Sequence, residues 1–346
     1  MPRSTPTVED VARAAGVSTA TVSRALNQPG GVRPALREQV YSAVAKLGYV
    51  AHAGARALSL RRSGTVGVVV PTIDNAIFAS GLQAFQRRMT AAGQVVLLAF
   101  SDYDPGQEQV QALALLARGV DALALTGFSQ RPDLLALLAQ RGLPCVHTGA
   151  FPGPPGTACV GFRNRAAIAR AVQVLLDLGH RRIGMVAGLT AHNDRAADRV
   201  AGVRETLAAA DVPLPPRWLV ESAYTPQAAR LATRALLQSG SLPSALVCGN
   251  DVLAYGAMLE CAASGLAVPK DLSVVGFDDL DLSRQWRPAL TTVRVPTEPM
   301  WTLAAEHLLG RLDGQVSGPE QIELDVELVM RESTSRAPRV PRTRRP

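Results

Sequence analysis

The first fifty residues constrain the fold more than any other part of the chain. Thr7 is followed three residues later by Asp10, a spacing typical of a helix N-terminus in which both side chains cap the backbone. Gly16 permits a tight turn, and Ser18 can cap a second helix that runs to about Leu26. Two short helices joined in this way place the second helix in the major groove of DNA. The pattern predicts a helix-turn-helix head.

The charge distribution favours the same interpretation. Residues 1–62 hold nine Lys and Arg against three Asp and Glu, a local charge of +6 in a chain whose net charge is +7. Five more arginines lie in the low-complexity tail, residues 336–346, so the long middle is mildly acidic. A basic end on an acidic body is expected of a phosphate-binding module joined to a domain with another role.

A third helix and a connector follow the motif. Pro34 suits a first helical position and Gly48 a stop, which predicts a helix over 34–47 and completes a head over 1–49. The segment 50–64 is Ala-rich, basic and too short to be stable alone as a helix. It is either a hinge helix that orders against a partner or a plain linker.

Composition excludes several classes of protein. A chain of 346 residues with 47% hydrophobic content supports two or three globular domains. No apolar run approaches the length of a membrane span and the N-terminus has no signal pattern, so we expect a cytoplasmic protein without membrane contact. The four cysteines stand singly and are expected to be free thiols, with neither metal nor cofactor.

From Thr65 onward, continuous apolar runs alternate with amphipathic stretches. One series of apolar runs begins with residues 66–70 and ends near 146, and a second runs from 183 to 277. Buried strands separated by helices predict parallel sheets covered on both faces, and two series predict two doubly wound lobes in an α/β fold. Ligands bind such sheets beyond the carboxyl ends of the strands, here in the cleft between the lobes.

The chain resembles the lactose-repressor/galactose-repressor (LacI/GalR) family of transcriptional regulators from Thr7 to about Thr334. The resemblance implies lobes of periplasmic-binding-protein type, a homodimer on a roughly palindromic operator, and a small effector in the cleft that sets DNA affinity. Family members bind sugars, sugar phosphates or purines with similar residues. It also implies a first lobe of about 65–161 plus 293–319 and a second of about 162–292 plus 320–335. The matching segments are the head motif, Gly179-His180-Arg181-Arg182-Ile183, Asn250-Asp251, residues 274–279 and residues 290–293.

The resemblance makes Thr19 and Ala20 major-groove specificity positions and gives Arg24 a base contact. Leu58 would be inserted into the minor groove by paired hinge helices, which bends the DNA. The hinge departs from the family pattern, because Ala51-His52 stands where Pro-Asn is usual, and this puts hinge stability in doubt. The implied DNA contacts together are Ser18, Thr19, Ala20, Ser23, Arg24, Asn27, Tyr49, Arg56 and Leu58.

For the effector cleft, the resemblance points to Ile77, Phe78, Arg199, Tyr224, Asn250 and Asp278. Asp278 can accept hydrogen bonds from vicinal hydroxyls, and Arg199 can donate two parallel ones. Each residue also has a structural alternative. Asp278 would be a backbone cap, Arg199 would form a surface ion pair, and Tyr224 and Phe78 would be plain core.

Arg163 stands where the family usually has an aspartate. If Arg163 points into the cleft beside Arg199, two guanidinium groups favour an acidic effector such as a sugar acid or sugar phosphate. The alternative is that Arg163 turns outward while Asn164 caps the helix that follows.

Two other classes of function are alternatives to a regulator. The chain has no G-x-G-x-x-G after a strand, no P-loop, no G-x-S-x-G and no H-E-x-x-H, and its five histidines are dispersed, so an enzyme is not expected. A transport-type solute-binding protein shares the two-lobed cleft. It needs an export signal and has no use for a helix-turn-helix head.

Overall fold

A computed structural model describes residues 5–27, 29–50, 62–74 and 76–338. The chain divides into two compact units, residues 1–63 and residues 64–346. The predicted hinge residues Arg56 and Leu58, and the tail beyond residue 338, lie outside the described residues. Their predicted roles therefore stay predictions.

The head consists of three helices: α1 (Val8–Ala15), α2 (Thr19–Asn27) and α3 (Pro34–Leu47). The predicted capping box is confirmed, because the Asp10 amide donates to Thr7 Oγ1 and the Thr7 amide donates to Asp10 Oδ2. Gly16 ends α1 with a φ of 64°, the left-handed conformation that glycine adopts at little cost. The Ser18 hydroxyl caps α2 by accepting from the Thr21 amide. A small core, centred on Val11, Val22 and Val40, holds the three helices together.

The second unit begins with a first lobe built on a parallel sheet. Its strands are β1 (Thr65–Val70), β2 (Val95–Phe100), β3 (Ala122–Thr126), β4 (Cys145–Thr148) and β5 (Ala158–Gly161). Its helices are α4 (Ala76–Ala91), α5 (Pro105–Ala117) and α6 (Pro132–Gln140). Strands β1 and β3 are buried almost throughout because helices cover both faces of the sheet.

The second lobe repeats the arrangement. Its strands are β6 (Ile183–Gly188), β7 (Leu219–Ser222), β8 (Ala245–Cys248), β9 (Ser273–Asp278) and β10 (Thr291–Arg294). Its helices are α7 (Asn164–Asp177), α8 (Asp194–Ala209), α9 (Pro226–Leu237), α10 (Asp251–Ala263) and the short α11 (Asp281–Gln285). The predicted α/β fold with two doubly wound lobes is confirmed.

The C-terminal segment crosses between the lobes. Helix α12 (Thr297–Leu312) packs on α4 and on the first sheet, β11 (Gln321–Glu323) pairs with β5, and β12 (Glu327–Val329) pairs antiparallel with β10. The strand orders are β11-β5-β4-β3-β1-β2 and β12-β10-β9-β8-β6-β7.

Two predicted lobe boundaries need correction. All of β10 belongs to the second sheet, so the chain returns to the first lobe after Arg294 and not at residue 293. Residues 321–323 were assigned to the second lobe, whereas they form an edge strand of the first sheet. An edge strand of three residues is too short to show a hydrophobic periodicity, so the sequence does not indicate which sheet it joins.

Within the described ranges, no helix is both long and apolar enough to cross a membrane. The four cysteines are free, as predicted. Among the residues whose placement is described, no cluster of His, Cys, Asp or Glu could hold a metal ion.

Candidate effector cavity and DNA-contact face

A cavity lies between the carboxyl ends of the two sheets and spans about 570 Å³ when the open solvent at its mouth is included. We call it the interlobe cavity. Both lobes and α12 supply its walls, which places it where ligands bind in doubly wound folds. Its lining includes Ile77, Phe78, Tyr103, Thr126, Thr148, Gly149, Asn164, Asn193, Arg195, Arg199, Tyr224, Asp278, Met300 and Trp301.

Asp278 ends β9 at the edge of this cavity. Its φ of 109° and the φ of 55° at Asp279 are unusual for residues other than glycine, so neighbouring groups must hold the turn in place. The Asp279 carboxylate does so by accepting from Arg294 Nε at 2.7 Å and from Arg331 Nη2 at 2.6 Å. No described residue hydrogen-bonds the Asp278 carboxylate itself, which remains available to a ligand.

Burial raises the pKa of Asp278 to about 8, with the Arg199 guanidinium opposing that rise and the nearby Asp251 adding to it. Asp251 is itself buried, and its carboxylate accepts hydrogen bonds from the Ser283 hydroxyl and the Leu280 amide. Asp251 is therefore a structural carboxyl under the strand end, whereas Asp278 faces the cavity.

Arg199 is buried on α8 and is aimed by two contacts. Its guanidinium lies over the Phe277 ring at 4.9 Å, and its Nη1 donates to Asn164 Oδ1 at 2.7 Å. Among the described residues, none accepts from its Nε. A buried donor without a partner is costly, so an oxygen acceptor on a ligand would stabilise this group. The surface ion pair considered for Arg199 is not what the structure shows.

Two tyrosines form an aromatic wall of the cavity. Tyr103, from the loop after β2, stacks on Tyr224 with ring centroids 5.4 Å apart. The Tyr224 hydroxyl accepts from Asn193 Nδ2 at 3.0 Å and approaches Gly188 so closely that a Cβ there would lie 2.0 Å from it. Gly188 thus makes room for the ring. Tyr224 therefore lines the cavity and is not simply a residue of the hydrophobic core.

Polar contacts between the two lobes lie around the cavity. The Asp194 carboxylate, at the start of α8, accepts from the Phe128 amide of the first lobe at 2.8 Å. Asn164 Nδ2 donates to the Gly149 carbonyl at 2.8 Å. Since Asn164 also accepts from Arg199, the lobe contact and the ligand-facing guanidinium share one side chain.

Arg163 does not point into the interlobe cavity, and that prediction is wrong. Its Nε and Nη2 donate to the two Glu323 carboxylate oxygens at 2.9 and 3.2 Å, and its guanidinium lies over Phe151. Arg163 turns outward as the alternative held, although Asn164 provides no cap because its side chain bridges to Gly149 and Arg199. The bidentate partner comes from β11, far away in sequence.

Asn250 is likewise not on the described cavity wall. It is 1% exposed, and its Oδ1 caps α10 by accepting from the Leu253 amide at 2.9 Å. The other five cleft residues of the prediction line the cavity: Ile77, Phe78, Arg199, Tyr224 and Asp278.

Two residues of the cavity lining, Tyr103 and Arg195, were not predicted from the sequence. Arg195 precedes Arg199 by four residues on α8, so the two lie on one helix face, and this spacing is visible in the sequence. Tyr103 directly follows the carboxyl end of β2, where cleft residues are expected. The contact of Arg195 Nη1 with Asp194 at 3.1 Å could not be read from spacing.

The head presents the predicted DNA-contact side chains to solvent. Ser18, Thr19, Ala20, Ser23 and Arg24 are all exposed on or just before α2, and Arg24 Nε lies 3.4 Å from the Ala20 carbonyl. Small and hydrogen-bonding side chains on an exposed helix suit contacts with base edges and phosphates. Tyr49 packs partly against the head core, and the side chain of Asn27 is not described.

Comparison with known proteins decides the family. A model of the bacterial regulatory proteins of the lacI family matches residues 7–52, and a periplasmic binding protein-like domain matches residues 172–334. The transcriptional repressor CytR of Escherichia coli K12 is 32% identical over 333 residues, covering 96% of this chain and 97% of CytR. The chain belongs to the LacI family. It is a DNA-binding transcriptional regulator with a periplasmic-binding-protein-like domain.

Solved structures agree with this assignment. The Lac repressor dimer bound to operator and an anti-inducer matches with a TM-score of 0.84 at 28% identity, over 96% of this chain and 99% of that one. The complex of the transcriptional regulator CelR with cellobiose matches with a TM-score of 0.70 at 30% identity, over 95% and 99%. Both of these structures are of transcriptional regulators.

Proposed function

We propose that this LacI-family protein represses transcription by binding a roughly palindromic operator as a homodimer, under the control of a sugar or sugar derivative in the interlobe cavity. The observation that carries the effector assignment is the pairing of Asp278 with Arg199. The Asp278 carboxylate and the Nε of Arg199 each lack a hydrogen-bond partner among the described residues, whereas Arg199 Nη1 donates to Asn164. A polyhydroxylated ring supplies donors for the first and acceptors for the second.

The cavity chemistry also narrows the effector class. Arg195 and Arg199 bring two guanidinium groups to one cavity. The predicted pair was Arg163 and Arg199, so Arg195 takes the place of Arg163. Sugar acids and sugar phosphates therefore remain within the proposed class, because guanidinium binds their oxygens in a bidentate manner. The stacked Tyr103 and Tyr224 offer an apolar wall to a sugar ring.

An effector in this position contacts both lobes, and this supports control of DNA binding. Asp278 and Arg199 belong to the second lobe, whereas Ile77 and Phe78 belong to the first. A ligand that binds one lobe arrangement better than another shifts the population toward it, with a coupling of roughly 1–3 kcal/mol in typical cases. The same coupling would change operator affinity.

The function is tested by selecting random DNA duplexes on the full-length protein and measuring gel shifts with the enriched sequence. We expect an inverted repeat to be enriched, and at least one sugar or sugar acid to change its affinity by about 5- to 150-fold. Enrichment without inverted symmetry would contradict the palindromic operator. If no sugar in a broad panel alters the gel shift of the operator complex, the effector assignment is contradicted.

The exposed edge of the first lobe supports the homodimer. Strand β2 ends the sheet, and three of its apolar side chains are at least one-third exposed: Val95, Leu98 and Phe100. Val110 and Leu113 on the neighbouring α5 are also exposed, at 57% and 40%. An apolar sheet edge promotes unwanted association unless something covers it, and a second copy of the chain would do so.

Leu98→Glu is therefore expected to shift the protein from dimer to monomer in sedimentation velocity, because the substitution places a charge in the proposed interface. Leu189→Glu is the matched control, since both leucines are 47% exposed and Leu189 follows β6 in the other lobe. A Leu98→Glu protein that stays dimeric at the concentration where the wild type is dimeric would refute this interface.

The competing functions fit the observations less well. A transport-type solute-binding protein would not need the folded helix-turn-helix head, and an enzyme would need a nucleophile or a paired acid and base in the cavity. Among the described residues, Asp278 is the carboxyl that lines this cavity, and the nearby Asp251 is occupied by structural hydrogen bonds. We infer a cytoplasmic regulator that catalyses no reaction.

A further inference from the structure

The basic tail, residues 336–346, leaves the second lobe from a fixed point. The Ser335 amide donates to Ser273 Oγ at 3.1 Å, and His180 Nε2 donates to the Ser335 carbonyl at 3.0 Å. The Ala337 amide donates to the Leu178 carbonyl at 2.9 Å. Because Ser273 begins β9 and His180 comes shortly before β6, the tail starts at the edge where the strands of the second sheet begin.

This edge faces away from the interlobe cavity. Strands β1–β5 run parallel to one another, as do β6–β10, and the cavity lies at the carboxyl ends of both sets. The amino ends of the two sets therefore lie at opposite ends of the second unit. The chain enters that unit at residue 64, directly before β1, and the tail leaves it at the other end.

Positive charges gather where the tail leaves. Arg181, Arg182 and Arg336 are exposed on this edge, and no described residue pairs with the guanidinium group of Arg182 or Arg336. The acidic side chains nearby, Asp177 and Asp271, each accept a hydrogen bond from the chain around them. The unpaired guanidinium groups are therefore available to an anion that comes from outside the chain.

The tail adds to this charge. It holds five arginines and neither Asp nor Glu, whereas residues 63–335 are mildly acidic. Four of the five arginines lie outside the described residues: Arg339, Arg342, Arg344 and Arg345. A run of like charge on an acidic body is typical of a segment that binds an oppositely charged partner. Arginine matches the geometry of a phosphate group in particular.

We propose that the basic tail, together with Arg181, Arg182 and Arg336, binds the phosphate backbone of a second DNA segment while the head holds the first. Phosphate contacts carry no sequence information, so this second segment is held whatever its sequence. One protein molecule then links two stretches of DNA. The proposal needs DNA binding by the head, but it needs neither an effector nor a palindromic operator.

A bridging assay on the full-length protein tests the proposal. One duplex of scrambled sequence is attached to beads and saturated with protein, and a second, fluorescent scrambled duplex is then added. We expect the beads to retain the second duplex at 50 mM salt. Its affinity should fall about 100-fold between 50 and 200 mM salt, because about four phosphate contacts release their counterions.

Replacing the four arginines at positions 339, 342, 344 and 345 with serine should abolish retention of the second duplex. The amount of protein held by the first duplex should stay within about twofold, because the head makes those contacts.

Arg182→Ser combined with Arg336→Ser tests the folded part of the surface. Losing two phosphate contacts should weaken retention of the second duplex about tenfold or more at 50 mM salt. Arg131→Ser combined with Arg284→Ser is the matched control. It removes the same charge from exposed residues that follow the carboxyl ends of β3 and β9, and it should leave retention within about twofold.

Three results would overturn the second DNA surface. The first is full retention of the second duplex by the protein without the four tail arginines. The second is an equal loss of both duplexes in that variant, which would mean that the tail and the head contact one duplex. The third is a wild-type protein that holds the first duplex and never the second, which would leave DNA binding by the head intact. Loss of binding to phosphatidylserine vesicles in the tail variant, without a change in either duplex, would assign the edge to a membrane surface instead.

Discussion

Asp278→Ala is expected to abolish the effector response of this LacI-family protein and to leave operator binding without effector unchanged. Above the pKa of about 8 that burial gives it, the Asp278 carboxyl is the charged acceptor of the interlobe cavity, and no described residue hydrogen-bonds it. Losing hydrogen bonds to a charged group costs roughly 1.5–3 kcal/mol each, so effector affinity should fall by about 10- to 150-fold or more. Calorimetry and gel shifts with the identified effector measure the two quantities.

Asp281→Ala is the matched control, because Asp281 lies three residues further along with a side chain 94% exposed. A fully responsive Asp278→Ala protein would show that the effector binds elsewhere.

The pKa of Asp278 adds a pH dependence to the same prediction. Because burial raises that pKa to about 8, the carboxyl is mostly protonated at pH 7 and accepts hydrogen bonds best once it ionises. Affinity for a neutral sugar should therefore rise as the pH increases toward 8 and beyond. Asp278→Asn should remove this rise. An affinity that falls over the same range would contradict the assignment.

Arg24→Ala is expected to cost about 1–3 kcal/mol of discrimination between the operator and a scrambled duplex. Arg24 is exposed on α2, the helix that the head motif places in the major groove. Its guanidinium can reach a guanine edge from there, whereas a contact with phosphate would strengthen binding to every sequence alike. Gel shifts with the two duplexes separate these outcomes.

Arg13→Ala serves as the control for charge. Arg13 is a mostly exposed residue of α1 that pairs with Asp10, so its loss removes one positive charge without touching α2. We expect it to affect both duplexes by the same factor. An unchanged sequence preference in Arg24→Ala would mean that another residue reads the bases.

Local signals in the sequence were sufficient to predict the head. Thr7, Asp10, Gly16 and Ser18 act within a few residues of one another, and each adopts the capping or turn geometry that its chemistry favours. The alternation of apolar runs and helices was likewise sufficient to predict two parallel sheets. Such features depend on neighbours along the chain, so they can be read without a structure.

The errors in the candidate site arise from contacts between distant residues. Arg163 was predicted to lie in the cleft, whereas it pairs with Glu323. The prediction failed because Glu323 lies 160 residues away, on a strand that joins the first sheet, and no local pattern indicates that contact. Asn250 was assigned from resemblance, and its capping of α10 depends on where β8 ends. Asp278 and Arg199 were predicted from the family resemblance. That the Asp278 carboxylate and Arg199 Nε have no described hydrogen-bond partner depends on tertiary packing, which the sequence does not reveal.

Trp301 gives the molecule a built-in optical probe. Its indole lines the interlobe cavity, and a Cβ at Gly81 would lie 2.1 Å from that ring, so the ring is held in a fixed place. The chain has only two other tryptophans, Trp218 and Trp286, and neither lines the cavity. Intrinsic fluorescence can therefore report effector entry in unlabelled protein, with those two tryptophans as a steady background.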